Sequence, residues 1–138
     1  HVADSVAGLV WGKLVINAGI NALTAILRVP NGVLLEQPAA RSLMAAAATE
    51  AAAVAFAKGI ALPYADPVAR VEQVARATAA NRSSMLQDVM RQATTEIDVI
   101  NGAIVCQGER HGVSTPVNQV LARLVQALQE SYAQRLGA

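Results

Sequence analysis

The chain has 138 residues, enough for one domain with a buried core. Hydrophobic residues make up 54% of it, but 29 residues are alanine and only four are aromatic, which favours closely packed helices over a β-sandwich. The 11 basic and 10 acidic side chains leave a net charge of +1 without a basic stripe, so nucleic acid is not an expected partner.

Cysteine content and apolar runs exclude further classes of protein. The single cysteine, Cys106, can form no internal disulfide and lies near only one other common metal ligand, His111, so neither a disulfide framework nor a metal site is expected. The most apolar stretch, residues 43–57, is short and carries Glu50, which predicts a buried helix rather than a membrane span. No signal-peptide pattern opens the sequence, and a cytoplasmic location is expected.

Two long helices are predicted in the first half of the chain. Apolar residues recur at helical spacing from Asp4 to Leu27, and turn residues follow at 29–32. The second helix is predicted from Pro38 to Lys58, with Gly59 as its C-cap signal, and its alanine run predicts a closely packed central helix. The buried stripe expected on the first helix consists of Val6, Leu9, Val10, Leu14, Ile20, Leu23 and Ile26.

Four shorter helices are predicted in the second half. Asp66 as N-cap, with proline at the first helical position, predicts a helix that continues to about Ala80. A break at 81–84 precedes a short helix over 85–90.

The last two helices are predicted from a cap signal and an apolar face. Thr95 with Asp98 three residues later predicts a capping box and a helix over 95–106. The final helix is predicted from 116 or 117 to about 136. Its expected apolar face consists of Val120, Leu121, Leu124, Val125 and Leu128.

A polar strip lies on the first predicted helix. Lys13, Asn17 and Asn21 are spaced four residues apart, so they project to one side. Asparagine is unfavourable inside helices because its amide competes for backbone hydrogen bonds. Two interpretations stay open: the lysine reaches solvent while the amides bond neighbouring helices, or the strip binds substrate oxygens with Lys13 as general acid or electrophile.

Two further segments carry candidate polar residues. Asn81, Ser83 and Ser84 fall at an inferred helix start, where free N–H groups and the helix dipole attract carboxylates. The simpler alternative is that one serine caps the helix. Glu96 falls in the first turn of its predicted helix, where a carboxylate complements the dipole without any catalytic role.

Five ordered blocks of the sequence resemble one known family. They are residues 11–25 with 30–32, 50–59, 83–88, 95–102 and 111–118. In this order and approximate spacing they resemble the C-terminal domain of the ketopantoate reductases (2-dehydropantoate 2-reductases), a compact all-α domain of the 6-phosphogluconate dehydrogenase C-terminal type. The resemblance covers nearly the whole chain.

The resemblance implies an enzyme that transfers hydride from NADPH to 2-dehydropantoate, giving pantoate in the route to pantothenate and coenzyme A. By this likeness Lys13 is the catalytic lysine, and Glu96 helps to position both substrate and cofactor. Ser84 holds the substrate carboxylate. The amides that bind the other substrate oxygens, or lie at the edge of the pocket, are those of Asn17, Asn21, Asn31 and Asn81.

The resemblance also implies what this sequence lacks. Members of the family carry an N-terminal Rossmann domain that binds NADPH through a Gly-x-Gly-x-x-Gly turn, and no such motif is present. Residues 1–138 are therefore expected to be the substrate-binding domain alone, inactive without its partner domain, with a homodimer possible. Two alternatives stay open: a related reductase of another 2-oxo acid, and a non-catalytic helical interaction module.

Overall fold

The computed structural model describes the backbone of residues 2–137 and the side chains from Val6 onward. Every regular element in this range is helical, which confirms the all-α prediction. The α-helices are α1 (Val2–Leu27), α2 (Val33–Glu36), α3 (Pro38–Ala57), α4 (Pro67–Ala77), α5 (Ser84–Met90), α6 (Asn101–His111) and α7 (Pro116–Glu130), with 3-10 turns at Ile97–Val99 and Tyr132–Gln134.

Helix α1 lies at the centre and packs against α3, α4, α5 and α7. Val6–Leu27 is long and apolar enough to cross a membrane by length and composition alone, but 56% of its apolar window is buried within the fold. A Cβ at Gly19 would lie 3.0 Å from Val71 and 3.3 Å from the carbonyl oxygen of Met44. The absence of a side chain therefore lets α1 approach α3 and α4 closely.

The predicted stripe of α1 was wrong in its first half. Val6, Leu9 and Val10 are 56%, 61% and 59% exposed. Because residues 6–12 contain no polar side chain, periodicity in this stretch does not select a face. The buried hydrophobic side chains of α1 are those of Trp11, Val15, Ala18, Ile20, Ala22, Leu23 and Ala25.

The caps predicted for α3 and α4 are confirmed. Gly59 follows α3 with a φ of +75°, the left-handed conformation expected after a helix. The Asp66 carboxylate accepts a 3.1 Å hydrogen bond from the amide of Ala69, although α4 ends at Ala77 and not near Ala80. The Arg41 guanidinium of α3 donates two hydrogen bonds, 2.7 and 2.9 Å long, to Glu72 of α4 and lowers the pKa of that carboxyl.

The helix predicted over 95–106 was wrong. Ile100 has φ −108° and ψ −93°, which breaks the helical path, so a 3-10 turn precedes α6. The capping box does not form, because the Thr95 hydroxyl accepts from the amide of Ile97 at 3.2 Å instead. Glu96 therefore precedes a 3-10 turn and does not lie in the first turn of an α-helix.

The final helix ends at Glu130, six residues before the predicted end. The Ser131 hydroxyl donates to the carbonyl of Leu128 at 3.2 Å, and the Tyr132 hydroxyl donates to the carbonyl of Ala93 at 3.0 Å. These bonds turn the chain toward the segment after α5, a tertiary effect that helical periodicity does not report.

A carboxylate from α3 caps the start of α7. The N-cap residue Thr115 makes no side-chain cap bond. Instead, Glu50 accepts 3.0 Å hydrogen bonds from the amides of Val117 and Asn118, and a 2.9 Å bond from the Asn118 side chain. Glu50 thus satisfies free N–H groups of one helix and complements its dipole from another.

We expect Glu50→Ala to lower the free energy of unfolding by about 1–3 kcal/mol, because two helix-start N–H groups and a buried amide lose their acceptor. Urea denaturation followed by circular dichroism measures the change. Glu130→Gln is the matched control, since Glu130 is exposed at the other end of α7. Equal midpoints for the two variants would contradict the cap.

Candidate functional site

The polar strip of α1 runs from an exposed lysine to a nearly buried amide. Lys13 is exposed, Asn17 is half-buried and Asn21 is 8% exposed. Among residues 6–137, none of these three side chains has a hydrogen-bond or ion-pair partner in the protein. The interpretation in which the amides bond neighbouring helices is therefore not what the fold shows, and the polar atoms of these three side chains have no partner among residues 6–137.

Lys13 lies at the edge of a cleft of about 500 Å³ between α1 and the start of α4, which Tyr64 and Arg70 also line. The Tyr64 hydroxyl donates a 2.9 Å hydrogen bond to the carbonyl of Gly12, and burial raises the pKa of Tyr64. A Cβ at Gly12 would lie 2.9 Å from Pro63. Pro63 and Tyr64, which line the cleft beside Lys13, thus pack directly against α1.

The start of α5 lies beside α1, one turn beyond Asn21. The hydroxyls of Thr24 and Ser83 are 2.7 Å apart in the buried interior. The Ser83 hydroxyl also accepts from the amide of Leu86 at 3.1 Å and caps α5. Ser84 is exposed and has no capping role, so it is free to bind a ligand.

Two of the predicted pocket-edge amides meet through their backbones. The amide of Asn31 donates to the carbonyl of Asn81 at 3.0 Å, and the Asn31 side chain donates to the Thr78 hydroxyl at 3.0 Å. Asn31 is 7% exposed, and its Oδ1 has no partner within the described residues. Asn81 is exposed, so of the two asparagines only Asn81 has an accessible side chain, while Asn31 is buried.

Glu96 lies on a separate, anchored segment. The carbonyl oxygen of the Gln129 side chain accepts from both the amide and the hydroxyl of Thr95. Glu96 itself is exposed, and within residues 6–137 it makes no ion pair with Lys13. The structure therefore joins α1 to the start of α5 and Asn31 to Asn81, but among the described residues no hydrogen bond or ion pair joins Glu96 to the lysine.

A larger apolar groove lies elsewhere on the surface. It has a volume of about 550 Å³ between α1, α3 and α7, and the predicted site residues do not line it. Leu27, Leu43, Val120 and Leu124 at this groove are 48%, 42%, 57% and 46% exposed. Val120 and Leu124, which were predicted on the apolar face of the last helix, thus line this groove and are not part of the core.

Comparison with known proteins shows the family to which the chain belongs. Residues 5–129 match the family described as "Ketopantoate reductase PanE/ApbA C terminal". The chain belongs to this family. A curated relative, the 2-dehydropantoate 2-reductase of Pyrobaculum aerophilum, is 50% identical over 117 residues, which are 85% of this chain and 42% of the relative. The chain spans about two fifths of the length of the curated relatives it matches.

Solved structures carry the same fold. A PanE/ApbA family ketopantoate reductase from Ralstonia eutropha matches 90% of this chain and 41% of its own, with a TM-score of 0.85 and 35% identity. D-mandelate dehydrogenase, solved with NADH and anilino(oxo)acetate, matches 88% and 40%, with a TM-score of 0.80 and 33% identity. A dimeric ketopantoate reductase from Staphylococcus aureus matches 90% and 43%, with a TM-score of 0.78 and 25% identity.

Sequence reasoning missed three polar residues in the interior of this reductase domain. Asn101 and Asn118 are fully buried, and Glu50 joins them in one hydrogen-bonded chain. The available signal was the position of Asn118 on the apolar face of α7, in helical register with Leu121 and Ala122. A buried amide on such a face needs partners from another element.

We expect the adjacent serines of α5 to differ in their effect on stability. Ser83→Ala removes both the cap and the bond to Thr24, and should lower the free energy of unfolding by about 1–2 kcal/mol. Ser84→Ala should change it by less than about 0.5 kcal/mol, since Ser84 is exposed. Chemical denaturation of the two variants measures the difference, and a larger loss for Ser84→Ala would show that the cap is assigned to the wrong serine.

Proposed function

We propose that this chain is the substrate-binding C-terminal half of a cytoplasmic, NADPH-dependent reductase that converts 2-dehydropantoate to pantoate on the route to pantothenate and coenzyme A. The other half is proposed to be an N-terminal Rossmann domain. The observation that carries the proposal is the open strip of Lys13, Asn17 and Asn21, whose polar side chains have no protein partner within residues 6–137. Membership of the ketopantoate reductase family supports it.

Lys13 is proposed to act at the keto oxygen. As hydride reaches the keto carbon, negative charge develops on that oxygen, where the ammonium stabilises it and donates a proton. Lys13 is exposed in this chain. The exclusion of water that strengthens such an interaction must therefore come from the second domain closing over α1.

The neighbouring polar groups are proposed to orient the substrate. Asn17 and Asn21 bind the hydroxyl and the other uncharged oxygens, which neutral amides pair without adding charge. Ser84 binds the carboxylate, a role for which its exposed hydroxyl is free. Asn31 and Asn81 form the edge of the pocket, where the exposed side chain of Asn81 is the accessible one of the two.

The cofactor supplies the hydride, and most of the contacts that bind the cofactor are proposed to lie in the other domain. Residues 2–137 contain no strand, and therefore no strand-turn-helix unit of the kind that binds a dinucleotide pyrophosphate. The residue assigned to the cofactor is Glu96, whose exposed carboxylate suits a ribose hydroxyl. D-mandelate dehydrogenase, which shares the fold of this half, was solved with NADH, so this fold alone does not distinguish NADPH from NADH.

A second candidate function has its own support. The likeness to D-mandelate dehydrogenase, solved with anilino(oxo)acetate, favours a reductase of another 2-oxo acid on the same scaffold. The two functions share the lysine chemistry and differ in the shape of the pocket. The third candidate is a non-catalytic interaction module, which predicts that the two-domain protein reduces no substrate.

We expect Lys13→Ala to lower kcat of the two-domain protein by about 10²–10⁴-fold, because proton donation and charge stabilisation are both lost. NADPH oxidation with ketopantoate and a panel of branched and aromatic 2-oxo acids measures it. Lys58→Ala, the matched control at the other lysine, should keep its rate. The 138-residue chain alone should give no turnover.

The outcomes of this assay separate the candidates. Preference for ketopantoate, with the rate lost in folded Lys13→Ala, supports the proposal. Preference for another 2-oxo acid replaces the substrate but keeps the chemistry. No reduction of any substrate by the two-domain protein rejects the enzyme.

We also propose that the apolar groove between α1, α3 and α7 is covered by a second copy of the protein. Its exposed leucine and valine side chains form a contiguous apolar patch of the kind that marks protein interfaces. The Staphylococcus aureus relative is described as dimeric, which favours a second copy over a foreign partner.

We expect Val120→Asp to convert a homodimer into monomers, because a charge buried in an apolar interface has no partner. Light scattering coupled to size-exclusion chromatography measures the mass. Phe56→Asp is the control, since Phe56 is 84% exposed and lies outside the groove. A dimer that survives Val120→Asp places the interface elsewhere.

A further inference from the structure

Four long helices are joined by one chain of buried amide hydrogen bonds. The Asn101 side chain on α6 donates 3.0 Å bonds to the carbonyl of Ala18 on α1 and to the Asn118 side chain on α7. The Asn118 side chain donates to the carbonyl of Ala47 at 3.1 Å and to Glu50 at 2.9 Å, both on α3. Both asparagines are fully buried.

This chain of bonds is not the arrangement that stability alone favours. Asn101 uses both of its N–H groups, but its Oδ1 is buried and has no partner among the described residues. A buried acceptor without a partner is unfavourable, so the Asn101 amide carries a cost that its two hydrogen bonds must offset. The amide does provide two directional bonds, one to α1 and one to α7, which orient the start of α6 relative to both helices.

The two ends of the Asn101 bond lie next to proposed site residues. Ala18 directly follows Asn17 on α1. Asn101 is the first residue of α6 and follows Glu96 after a single 3-10 turn. The Asn101–Ala18 bond is therefore a short connection between the polar strip of α1 and the segment that carries Glu96. Among the described residues, no side-chain hydrogen bond or ion pair joins Lys13, Asn17 or Asn21 to Glu96.

We propose that Asn101, held by Asn118 and Glu50, is a positioning residue that fixes Glu96 relative to the α1 strip in the reductase reaction. The inference rests on the function proposed above. Lys13 and Glu96 act on the same substrate and cofactor, so both must be in place as hydride is transferred. A misplacement of about 1 Å can lower a rate by about 10²-fold.

The kinetic test uses the two-domain protein with Asn101→Leu, and with Asn101→Ala in case the larger side chain prevents folding. We expect kcat to fall by about 10–100-fold while KM for the oxo acid changes by less than about threefold, because Asn17, Asn21 and Ser84 still bind the substrate. Gln107→Leu is the matched control. It removes the 2.8 Å bond from Lys58 between α3 and α6 but leaves the contact with α1 intact.

A purely structural role would lower kcat only in proportion to the folded fraction. A kcat within about twofold of the wild-type value in a folded Asn101 variant overturns the proposal. A similar loss of kcat in Gln107→Leu overturns it as well, because the effect would then belong to α6 as a whole.

A distance measurement tests the positioning without any assay of activity. Spin labels are attached to Lys13→Cys and Glu96→Cys after Cys106→Ser removes the native, exposed thiol. We expect the distance distribution from pulsed electron paramagnetic resonance to broaden or shift in Asn101→Ala and to stay unchanged in Gln107→Ala. An unchanged distribution in Asn101→Ala overturns the positioning. Absence of turnover in the wild-type protein rejects the proposed function, and this distance test is still decisive.

Discussion

The close contact of α1 with the helices around it is the constraint on which the rest of the structure depends. Ala18, Ala22 and Ala25 are fully buried, and Gly19 leaves no room for a side chain between α1 and Met44 of α3. Small residues allow close helix packing, but each contributes little buried area. The domain gains specificity in another way, through buried polar bonds between its helices.

The polar groups of the interior are hydrogen-bonded to one another, whereas those of the proposed site are not. In the interior, Asn118 of α7 donates hydrogen bonds to the Glu50 carboxylate and to the carbonyl of Ala47, both on α3. These bonds hold α3 against α7. On α1, the side chains of Lys13 and Asn17 have no hydrogen-bond or ion-pair partner among the described residues. One helix thus carries a face committed to the fold and a face left open. This separation explains why changes at the strip should affect chemistry more than stability.

Sequence reasoning predicted the features that depend on local chemistry. The all-α class follows from composition, the first two long helices from periodicity along the chain, and the Asp66 cap from residues within one turn of each other. A serine cap of α5, one of the two alternatives for that segment, is also present. The same local basis placed Lys13, Asn17 and Asn21 on one side of a helix. The family resemblance added roles, and the family itself is confirmed.

The features that sequence reasoning missed depend on residues far apart in the chain. Glu50 caps a helix that begins 66 residues later, at Pro116, and a capping signal inside one helix does not show this. The break at Ile100 and the early end of α7 follow from bonds that Thr95 and Tyr132 make to distant elements. The exposed leucines at the groove have the same periodicity as core residues, so the pattern does not separate a core from an interface.

The most direct test of the account is a crystal structure of the two-domain protein with pantoate and the oxidised nucleotide. The account predicts that the Lys13 ammonium lies about 3 Å from the 2-hydroxyl oxygen, with the Asn17 and Asn21 amides on other substrate oxygens and Ser84 on the carboxylate. A ligand bound in the apolar groove, or one that leaves Lys13 in solvent, would contradict the assignment of this face of α1 as the site of reduction.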